Sequence, residues 1–255
     1  MSMNVDIFIL VRLKNTRLPG KAMKIIDGKP VLRYLIDRLQ SAKKIRNIIV
    51  CTTTSDSDDT LVNYLESENI LYFRGQEKDV LVRLLDAAKK FNTDLLVCVD
   101  GDDIYTDPSY VDEIASIYEK NNYDYIDMVE FPFGIASVGI KKLALEMICK
   151  LKKTSDTDTG YRLFFTQNNI FNVYHIRPKK NISYPSNMRL TLDYEQDLNL
   201  AKEIFKKLGN NFQLDDILEL FEKEPQLIKI TDNLAEKYKE HWNKNLANIS
   251  ITDIY

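Results

Sequence analysis

Positive charge collects in residues 12–21, RLKNTRLPGK, one residue after the apolar run VDIFIL. The basic side chains of this segment are those of Arg12, Lys14, Arg17 and Lys21. Guanidinium and ammonium groups form charge-assisted hydrogen bonds to phosphate oxygens, and this set of cations suits a triphosphate. Because the whole chain has a formal net charge of -3, the positive charge is local. The segment therefore predicts an anion-binding loop, with a solvated basic surface as the alternative.

Acidic residues form a second group of candidates. DGDD, residues 100–103, follows the apolar run DLLVCV, and Asp193 ends the run MRLTLD. Carboxylates beside a triphosphate would repel it unless a hard divalent cation lies between them. Asp102 and Asp193 are therefore candidate ligands of Mg2+. The alternatives are that DGDD is an ordinary turn and that Asp193 caps a following helix.

The elements that must position these residues alternate along the first half of the chain. Strand-like runs such as VDIFIL, NIIVCT and DLLVCVD are separated by segments with the spacing of an amphipathic helix. This alternation predicts an α/β fold with a mostly parallel sheet and helices on both faces. We also expect residues 188–193 to form a strand. Ligands of such sheets bind beyond the carboxyl ends of the strands, where the basic loop and both acidic sites would meet.

A less regular section, about residues 123–187, interrupts the alternation. Its pieces are short, and we expect a small excursion from the sheet that serves substrate specificity or dimerisation. Neither repeats nor low-complexity linkers divide the sequence. Since 255 residues can build one large α/β core, we predict a single domain over residues 1–255.

Composition argues against several classes of protein. The chain is 44% hydrophobic and 29% charged, which is ordinary for a globular protein, and its apolar runs fall short of the ~20 residues that span a bilayer. A pI of about 5.6 argues against a non-specific nucleic-acid binder. The first residues lack the features of a signal peptide, and the three cysteines are scattered. We therefore expect a cytoplasmic protein without a membrane or nucleic-acid partner.

At the basic loop, the sequence resembles the cytidylyltransferases that make CMP-activated acidic sugars, especially the CMP-KDO synthetase and SpsF-like branches. Their loop has the approximate pattern A-R-x-x-S-x-R-L-P-x-K, and the matching residues here are Arg12, Arg17, Leu18, Pro19 and Lys21. The resemblance continues through DGKPVLRYLIDRL, FRGQEKDVLVRLLDAAKKF, DGDDIYTDP, RLTLDYEQDL and FQLDDILELFEKEPQL. It spans nearly the whole chain.

The resemblance implies a Rossmann-like nucleotidyltransferase fold, in which CTP loses pyrophosphate as CMP joins an oxygen of the acceptor. It implies that Arg12, Arg17 and Lys21 hold the triphosphate, and that Asp102 and Asp193 bind Mg2+. The expected catalytic residues are then Arg12, Lys21 and Asp102. Such catalysis comes mostly from positioning and from neutralising charge on phosphate oxygens.

Further nucleotide contacts are expected from residues near the same strand ends. Lys14 and Asn15 stand where the family commonly has Gly and Ser, Arg74 lies in a segment that matches the family near its active site, and Asp100 begins DGDD. The extra cation at Lys14 favours an acceptor that is strongly anionic.

The acceptor pocket is expected to differ from that of SpsF-like proteins. Those sequences often read GLDVEVF, whereas this chain reads GIASVGI, so Ala136 and Val138 replace an Asp and a Glu. We expect an acidic sugar, a sugar phosphate or a phosphonate in a pathway of cell-surface glycan synthesis. Arg162 and Arg189 are the candidate ligands of its anionic group, and Arg177, Lys179 and Lys180 add charge nearby.

Two other functions are compatible with parts of the sequence. DGDD resembles the D-x-D metal site of glycosyltransferases that use nucleotide sugars, and a decayed site would leave a non-catalytic nucleotide-binding protein. The basic loop favours a cytidylyltransferase, because a glycosyltransferase has no pyrophosphate to release. The resemblance also implies a homodimer, which light scattering would contradict by giving the monomer mass of 29.7 kDa.

Overall fold

The computed structural model describes residues 3–167, 169–179, 184–185 and 187–246, with the side chains of residues 244–246 left out. Within these residues the main sheet has seven strands in the order β5-β4-β1-β6-β8-β7-β9. The strands are β1 Val5–Leu10, β4 Asn47–Thr53, β5 Tyr72–Gly75, β6 Leu95–Asp100, β7 Tyr125–Met128, β8 Val138–Lys141 and β9 Val173–Ile176. A small hairpin is formed by β2 Ile25–Ile26 and β3 Lys29–Pro30.

The helices follow the strands in the alternation that the sequence predicts. They are α1 Val31–Leu39, α2 Asp59–Ser67, α3 Val80–Phe91, α4 Pro108–Asn121, α5 Lys142–Leu151, α6 Leu163–Thr166, α7 Glu195–Leu208, α8 Leu214–Lys223 and α9 Leu234–Leu246. Among the described helices, none is long and apolar enough to cross a membrane.

The sheet is parallel except for β8, which runs antiparallel to both β6 and β7. The central strand β1 pairs in parallel with β4 on one side and with β6 on the other. The chain therefore continues to one side of β1 and later returns to its other side, which opens a crevice at the carboxyl ends of β1 and β6. This arrangement confirms the predicted mostly parallel α/β fold.

Helices cover both faces of the sheet, because the central strands are apolar on both sides. Along β1, Ile7 and Ile9 face a core that includes residues of α1, α4 and α7. Phe8, between them, faces a second core that includes residues of α3, α5 and α6. All three side chains are fully buried. Continuous apolar strands of this kind require a layer of helices on each face.

The less regular section of the sequence supplies three strands of the main sheet. Residues 123–187 contain β7, β8 and β9, so this section is part of the sheet. Its irregular parts are the connections between these strands, including residues 129–137 before β8. Lys180, one of the added cations of the sequence analysis, lies outside the described residues.

The prediction of a strand at residues 188–193 is wrong. This segment makes only an isolated bridge between Arg189 and Phe133 within the described part of the chain. The amide of Leu190 donates to the carbonyl of Phe133 at 2.7 Å, and the amide of Leu192 donates to the carbonyl of Asp102 at 2.9 Å. Leu190 and Leu192, the alternating apolar residues of RLTLD, are thus buried although no neighbouring strand pairs with the segment. Asp193 is brought beside Asp102 by these bonds to loops.

Gly134 allows this segment to approach residues 133–134 closely. Its φ is 93°, a value that L residues rarely adopt. A Cβ atom there would lie 2.2 Å from the carbonyl oxygen of Leu190 and 2.6 Å from the amide nitrogen of Thr191. Only a residue without a side chain fits, so Gly134 helps to fix where Asp193 lies.

We predict that Gly134→Ala lowers the free energy of unfolding by at least about 2 kcal/mol, because both the backbone angle and the contact with Leu190 oppose a side chain. Gly28→Ala is the matched control, since Gly28 has a φ of 78° but open space around the added Cβ. That variant should lose only about 1 kcal/mol. Urea unfolding measures both values, and equal losses would show that the close approach is unimportant.

Candidate active site

A cavity of about 630 Å³ lies at the carboxyl ends of β1 and β6. The loop after β1 lines it with Arg12, Asn15, Arg17 and Lys21, and residues 100–103 line it from the end of β6. Residues 130–134 and 158–163 form other parts of its wall, together with Asp193 and side chains of α9. The cavity therefore joins the basic loop to both predicted acidic sites.

Hydrogen bonds fix the start of the basic loop. The amide of Leu13 donates to Asp58 Oδ1 at 2.7 Å, and the hydroxyl of Thr52 donates to Asp58 Oδ2 at 2.8 Å. Burial opposes ionisation of Asp58, but the bonds from Leu13, Thr53 and Thr52 outweigh it and lower the pKa of its carboxyl. A buried, ionised Asp58 thus anchors the loop to the end of β4.

Lys21 lies between the two acidic sites. Its ammonium group donates to Asp102 Oδ2 and, at 2.9 Å, to Asp193 Oδ1. Only 12% of the Lys21 side chain is exposed. One nitrogen thus reaches a carboxylate after β6 and a carboxylate before α7, which are distant in sequence. The structure brings together three residues that the sequence proposes for one site.

The ion pairs of Lys21 shift its pKa and that of Asp102. Burial alone would lower the pKa of Lys21, but the charges of Asp102 and Asp193 outweigh burial and raise it. Burial likewise opposes ionisation of Asp102, yet Lys21 lowers the pKa of this carboxyl. Neighbouring Asp103 differs, because burial and the charges of Asp102 and Asp100 raise its pKa well above the usual value. Lys21 and Asp102 are therefore held in their charged forms.

Asp193 contacts two further cations. Arg17 donates through Nη2 to Asp193 Oδ1 at 2.7 Å, and Arg189 donates through Nη2 to Asp193 Oδ2 at 3.4 Å. Asp197 holds the same turn, since its Oδ2 accepts the amides of Asp193 and Tyr194 at 2.9 Å each. The carboxylate of Asp193 is therefore held both by cations and by the turn that carries it.

Arg189 is buried next to the site, where it holds Asp193 and Asp197. Its side chain is 2% exposed and also donates to Asp197 through Nε at 3.2 Å. Its guanidinium bonds to Asp193 and Asp197, and Arg189 is not among the described residues that line the cavity, so its acceptor contact stays a prediction. Arg162, the other predicted acceptor ligand, does line the cavity. It donates through Nη2 to Asp100 Oδ2 at 2.8 Å and to the carbonyl of Ala136 at 3.2 Å.

The remaining predicted nucleotide contacts divide into two groups. Arg12 and Asn15 line the cavity, and Arg12 pairs with Asp158 at 2.5 Å. Lys14 is 71% exposed and pairs with Glu77 at 3.5 Å, outside the cavity lining of the described chain.

Arg74 is likewise not among the described residues that line the cavity. Its Nε and Nη2 donate at 2.9 Å to the carbonyls of Thr53 and Ser55, and Nη2 pairs with Asp59 at 2.8 Å. These partners occupy the guanidinium at the end of β4. Nucleotide contact by Lys14 or Arg74 stays a prediction, and it would require these side chains to leave the partners that they have here.

Two parts of the site escaped the sequence analysis. Asp158, the partner of Arg12, sits in an irregular segment with no recognisable pattern. Tyr238, His241 and Trp242 of α9 also line the cavity. Their spacing of three and four residues is that of one helix face and was an available signal.

The site contains a pair of carboxylates that suits a divalent cation. Lys21 bonds to both Asp102 and Asp193, so one cation can reach oxygens of both. Within the described residues, no three His, Cys, Asp or Glu side chains converge as a metal site. Mg2+ commonly binds one or two carboxylates together with phosphates of the substrate. The donor set fits that mode.

Comparison with known proteins finds relatives along nearly the whole chain. An uncharacterised protein of Methanocaldococcus jannaschii is 30% identical over 235 residues, covering 91% of this chain and 96% of the relative. The spore coat polysaccharide biosynthesis protein SpsF of Bacillus subtilis is 24% identical, covering 88% of this chain and 96% of its own. Both matches extend over almost the entire relative.

Solved structures have the same fold. A cytidylyltransferase from Leptospira borgpetersenii has a TM-score of 0.81 and 25% identity, covering 91% of this chain and 98% of that one. CMP:2-keto-3-deoxy-manno-octonic acid synthetase complexed with CTP shares the fold alone, with a TM-score of 0.63, 12% identity and coverage of 80% and 99%. So does a Mycobacterium tuberculosis protein in complex with manganese, with a TM-score of 0.56, 10% identity and coverage of 79% and 99%.

The family model described as cytidylyltransferase matches residues 7–237. This range includes the basic loop, both acidic sites and every strand of the main sheet apart from the first two residues of β1. The chain therefore belongs to the cytidylyltransferase family, as the sequence predicted, and is an enzyme of that family.

Proposed function

We propose that this enzyme transfers CMP from CTP to a hydroxyl of an anionic acceptor and releases pyrophosphate. The observation that carries the proposal is the position of Lys21 between Asp102 and Asp193, beside Arg12 and Arg17 in one cavity. Cations for a triphosphate and carboxylates for a divalent metal are thereby adjacent. This is the pairing of charges that nucleotidyl transfer requires.

The basic loop supplies the triphosphate contacts. Arg12, Arg17 and Lys21 line the cavity and carry charges that phosphate oxygens would neutralise. Arg17 has a second terminal nitrogen, Nη1, that is buried without a hydrogen-bond partner among the described residues. A buried donor of this kind is costly unless a ligand accepts its hydrogen bond. Phosphate oxygens would provide that acceptor.

We assign Mg2+ to Asp102 and Asp193. The manganese complex of the Mycobacterium tuberculosis protein is consistent with a divalent metal on this fold, although that protein is only 10% identical. A bound Mg2+ would withdraw charge from the phosphate oxygens during transfer. Asp102 and Asp193 would hold the cation, while Lys21 and Arg12 would neutralise charge on the departing pyrophosphate. The acceptor oxygen forms a bond to the α-phosphorus and gives up its proton to water, while the bond from that phosphorus to the pyrophosphate oxygen breaks and pyrophosphate leaves.

The ion pairs of the site must exchange partners for this reaction. In the structure Lys21 and Arg17 neutralise Asp193, and Lys21 neutralises Asp102. A triphosphate alone would take these cations, which would leave Asp102 unpaired and Asp193 with Arg189 alone, whereas a metal alone would displace Lys21. Either change is unfavourable in a site of low exposure. Bound together, metal and triphosphate each receive the partners that the other releases, so their affinities are coupled.

For the acceptor we propose an acidic sugar or a related phosphorylated or phosphonate compound in cell-surface glycan synthesis. SpsF is named for spore coat polysaccharide biosynthesis, and the synthetase of the CTP complex is named for 2-keto-3-deoxy-manno-octonic acid. Arg162 is the candidate ligand of the anionic group, because it lines the cavity next to the carbonyl of Ala136. The homodimer and the cytoplasmic location stay predictions.

Two alternative functions are less well supported. Family membership argues against a glycosyltransferase that uses DGDD as its metal site. A non-catalytic nucleotide-binding protein would keep the fold, but the paired charges of Lys21, Asp102 and Asp193 speak for retained chemistry.

We predict release of pyrophosphate with CTP, Mg2+ and one acceptor from a panel of keto-acid sugars, sugar phosphates and phosphonates. Asp102→Asn should reduce turnover by on the order of 100-fold or more, because it weakens the metal site and the ion pair of Lys21. Asp59→Asn is the control, since Asp59 pairs with Arg74 away from the cavity. Tight CTP binding without turnover across the panel would favour the non-catalytic function, and full activity of Asp102→Asn would contradict the metal assignment.

The coupling of metal and CTP gives a separate prediction. Lys21→Met should strengthen binding of Mn2+ to the protein without nucleotide by about 10-fold, because no ammonium then competes for Asp102 and Asp193. Electron paramagnetic resonance of free Mn2+ measures this affinity. Lys14→Met is the matched control, because it removes the same charge from the same loop but Lys14 pairs with Glu77. Equal Mn2+ affinities for the Lys21 and Lys14 variants would contradict the exchange of partners.

A further inference from the structure

One face of α9 closes the cavity over the basic loop. Tyr238, His241 and Trp242 lie three and four residues apart and all line the cavity. Lys237, just before Tyr238, and Lys239 and Glu240, between Tyr238 and His241, are exposed. The family model ends at residue 237, so this face begins one residue beyond the part of the chain that the model matches. The function of the face is therefore not given by the family assignment.

Tyr238 lies between two arginines that surround Asp193. Its ring centroid is 5.2 Å from the guanidinium carbon of Arg17 and 5.2 Å from that of Arg189. The ring also packs on Phe133, with 4.6 Å between centroids. A guanidinium within about 6 Å of an aromatic centroid is attracted to the ring face. Tyr238 thus contacts the cations that hold Asp193, and it approaches them from the side of α9.

Arg17 depends on such contacts for its orientation. Its only hydrogen bond given by the described residues runs from Nη2 to Asp193 Oδ1, at 2.7 Å. Nη1 is buried and has no partner there. A guanidinium bonded at one nitrogen can still rotate about that bond, so the flat rings against it decide where Nη1 points. Tyr194, 5.7 Å away, is the second ring that contacts Arg17.

We infer that Tyr238 is a positioning residue, whose ring holds the Arg17 guanidinium so that Nη1 can donate to the triphosphate of CTP. This inference rests on the proposed function and adds α9 to the nucleotide site. The aromatic ring carries the effect, because the contact is made by the ring face. A role limited to attaching α9 to the body of the protein would instead act on stability and would not depend on Arg17.

Binding of CTP in the presence of Mg2+, measured by calorimetry on the full chain, tests the inference. Tyr238→Leu should weaken CTP binding by about 10-fold, since it removes the ring that orients Arg17. Tyr238→Phe keeps the ring and should bind within about 2-fold of the unmodified enzyme. Lys239→Ala, on the exposed face of α9, is the control for changes to this helix and should bind normally.

A double-mutant cycle separates positioning from packing. If Tyr238 acts through Arg17, Tyr238→Leu should have almost no further effect on CTP binding once Arg17→Met is present. Thermal unfolding of each variant shows whether α9 stays attached. Additive losses in the double variant, or failure of Tyr238→Phe to restore binding, would overturn the inference. If the unmodified enzyme does not bind CTP, both the proposed function and this inference fail. If it binds CTP and Tyr238→Leu binds CTP equally well, only the inference fails.

Discussion

The ion pairs of Lys21 with Asp102 and Asp193 are the interaction on which the rest of the site depends. Charged groups with little exposure are stable only when an opposite charge and hydrogen bonds replace water. Here the loop after β1 supplies the cation, and the turns after β6 and before α7 supply the anions. The parallel sheet places the first two together, because β1 and β6 are adjacent and end at the same edge.

The third partner, Asp193, needs structural support that the sheet does not provide. The segment before it is held by backbone bonds to Phe133 and Asp102, and Gly134 permits this approach. Arg189 then fills the space behind the carboxylate, and Asp197 caps the turn. Lys21, Arg17 and Arg189 therefore face three carboxylates, because Asp197 also pairs with Arg189, and this balance of charge lets them share a small volume. The same arrangement keeps the cations available to exchange their partners for phosphate.

Local patterns in the sequence were sufficient to predict the fold and part of the site. Strand and helix periods depend on neighbouring residues, so the alternation of elements and the positions of Lys21 and Asp102 could be anticipated. The strand predicted at residues 188–193 was wrong because an extended, alternately buried segment has the pattern of a strand whether or not another strand pairs with it. The partners of Arg74 could not be anticipated either, since sequence does not show that backbone carbonyls accept hydrogen bonds from its guanidinium. The contribution of Tyr238 depends on how α9 docks, which is a tertiary property.

The most direct measurement of the central claim is a crystal structure of the enzyme with CTP and Mn2+. We expect the metal between Asp102 and Asp193, bound also by phosphate oxygens, and the Lys21 ammonium within hydrogen-bond distance of the triphosphate. Arg17 should contact the same triphosphate through Nη1. A complex in which Lys21 still joins the two carboxylates, with the metal and the phosphates bound elsewhere, would contradict the exchange of partners on which the proposed function is built.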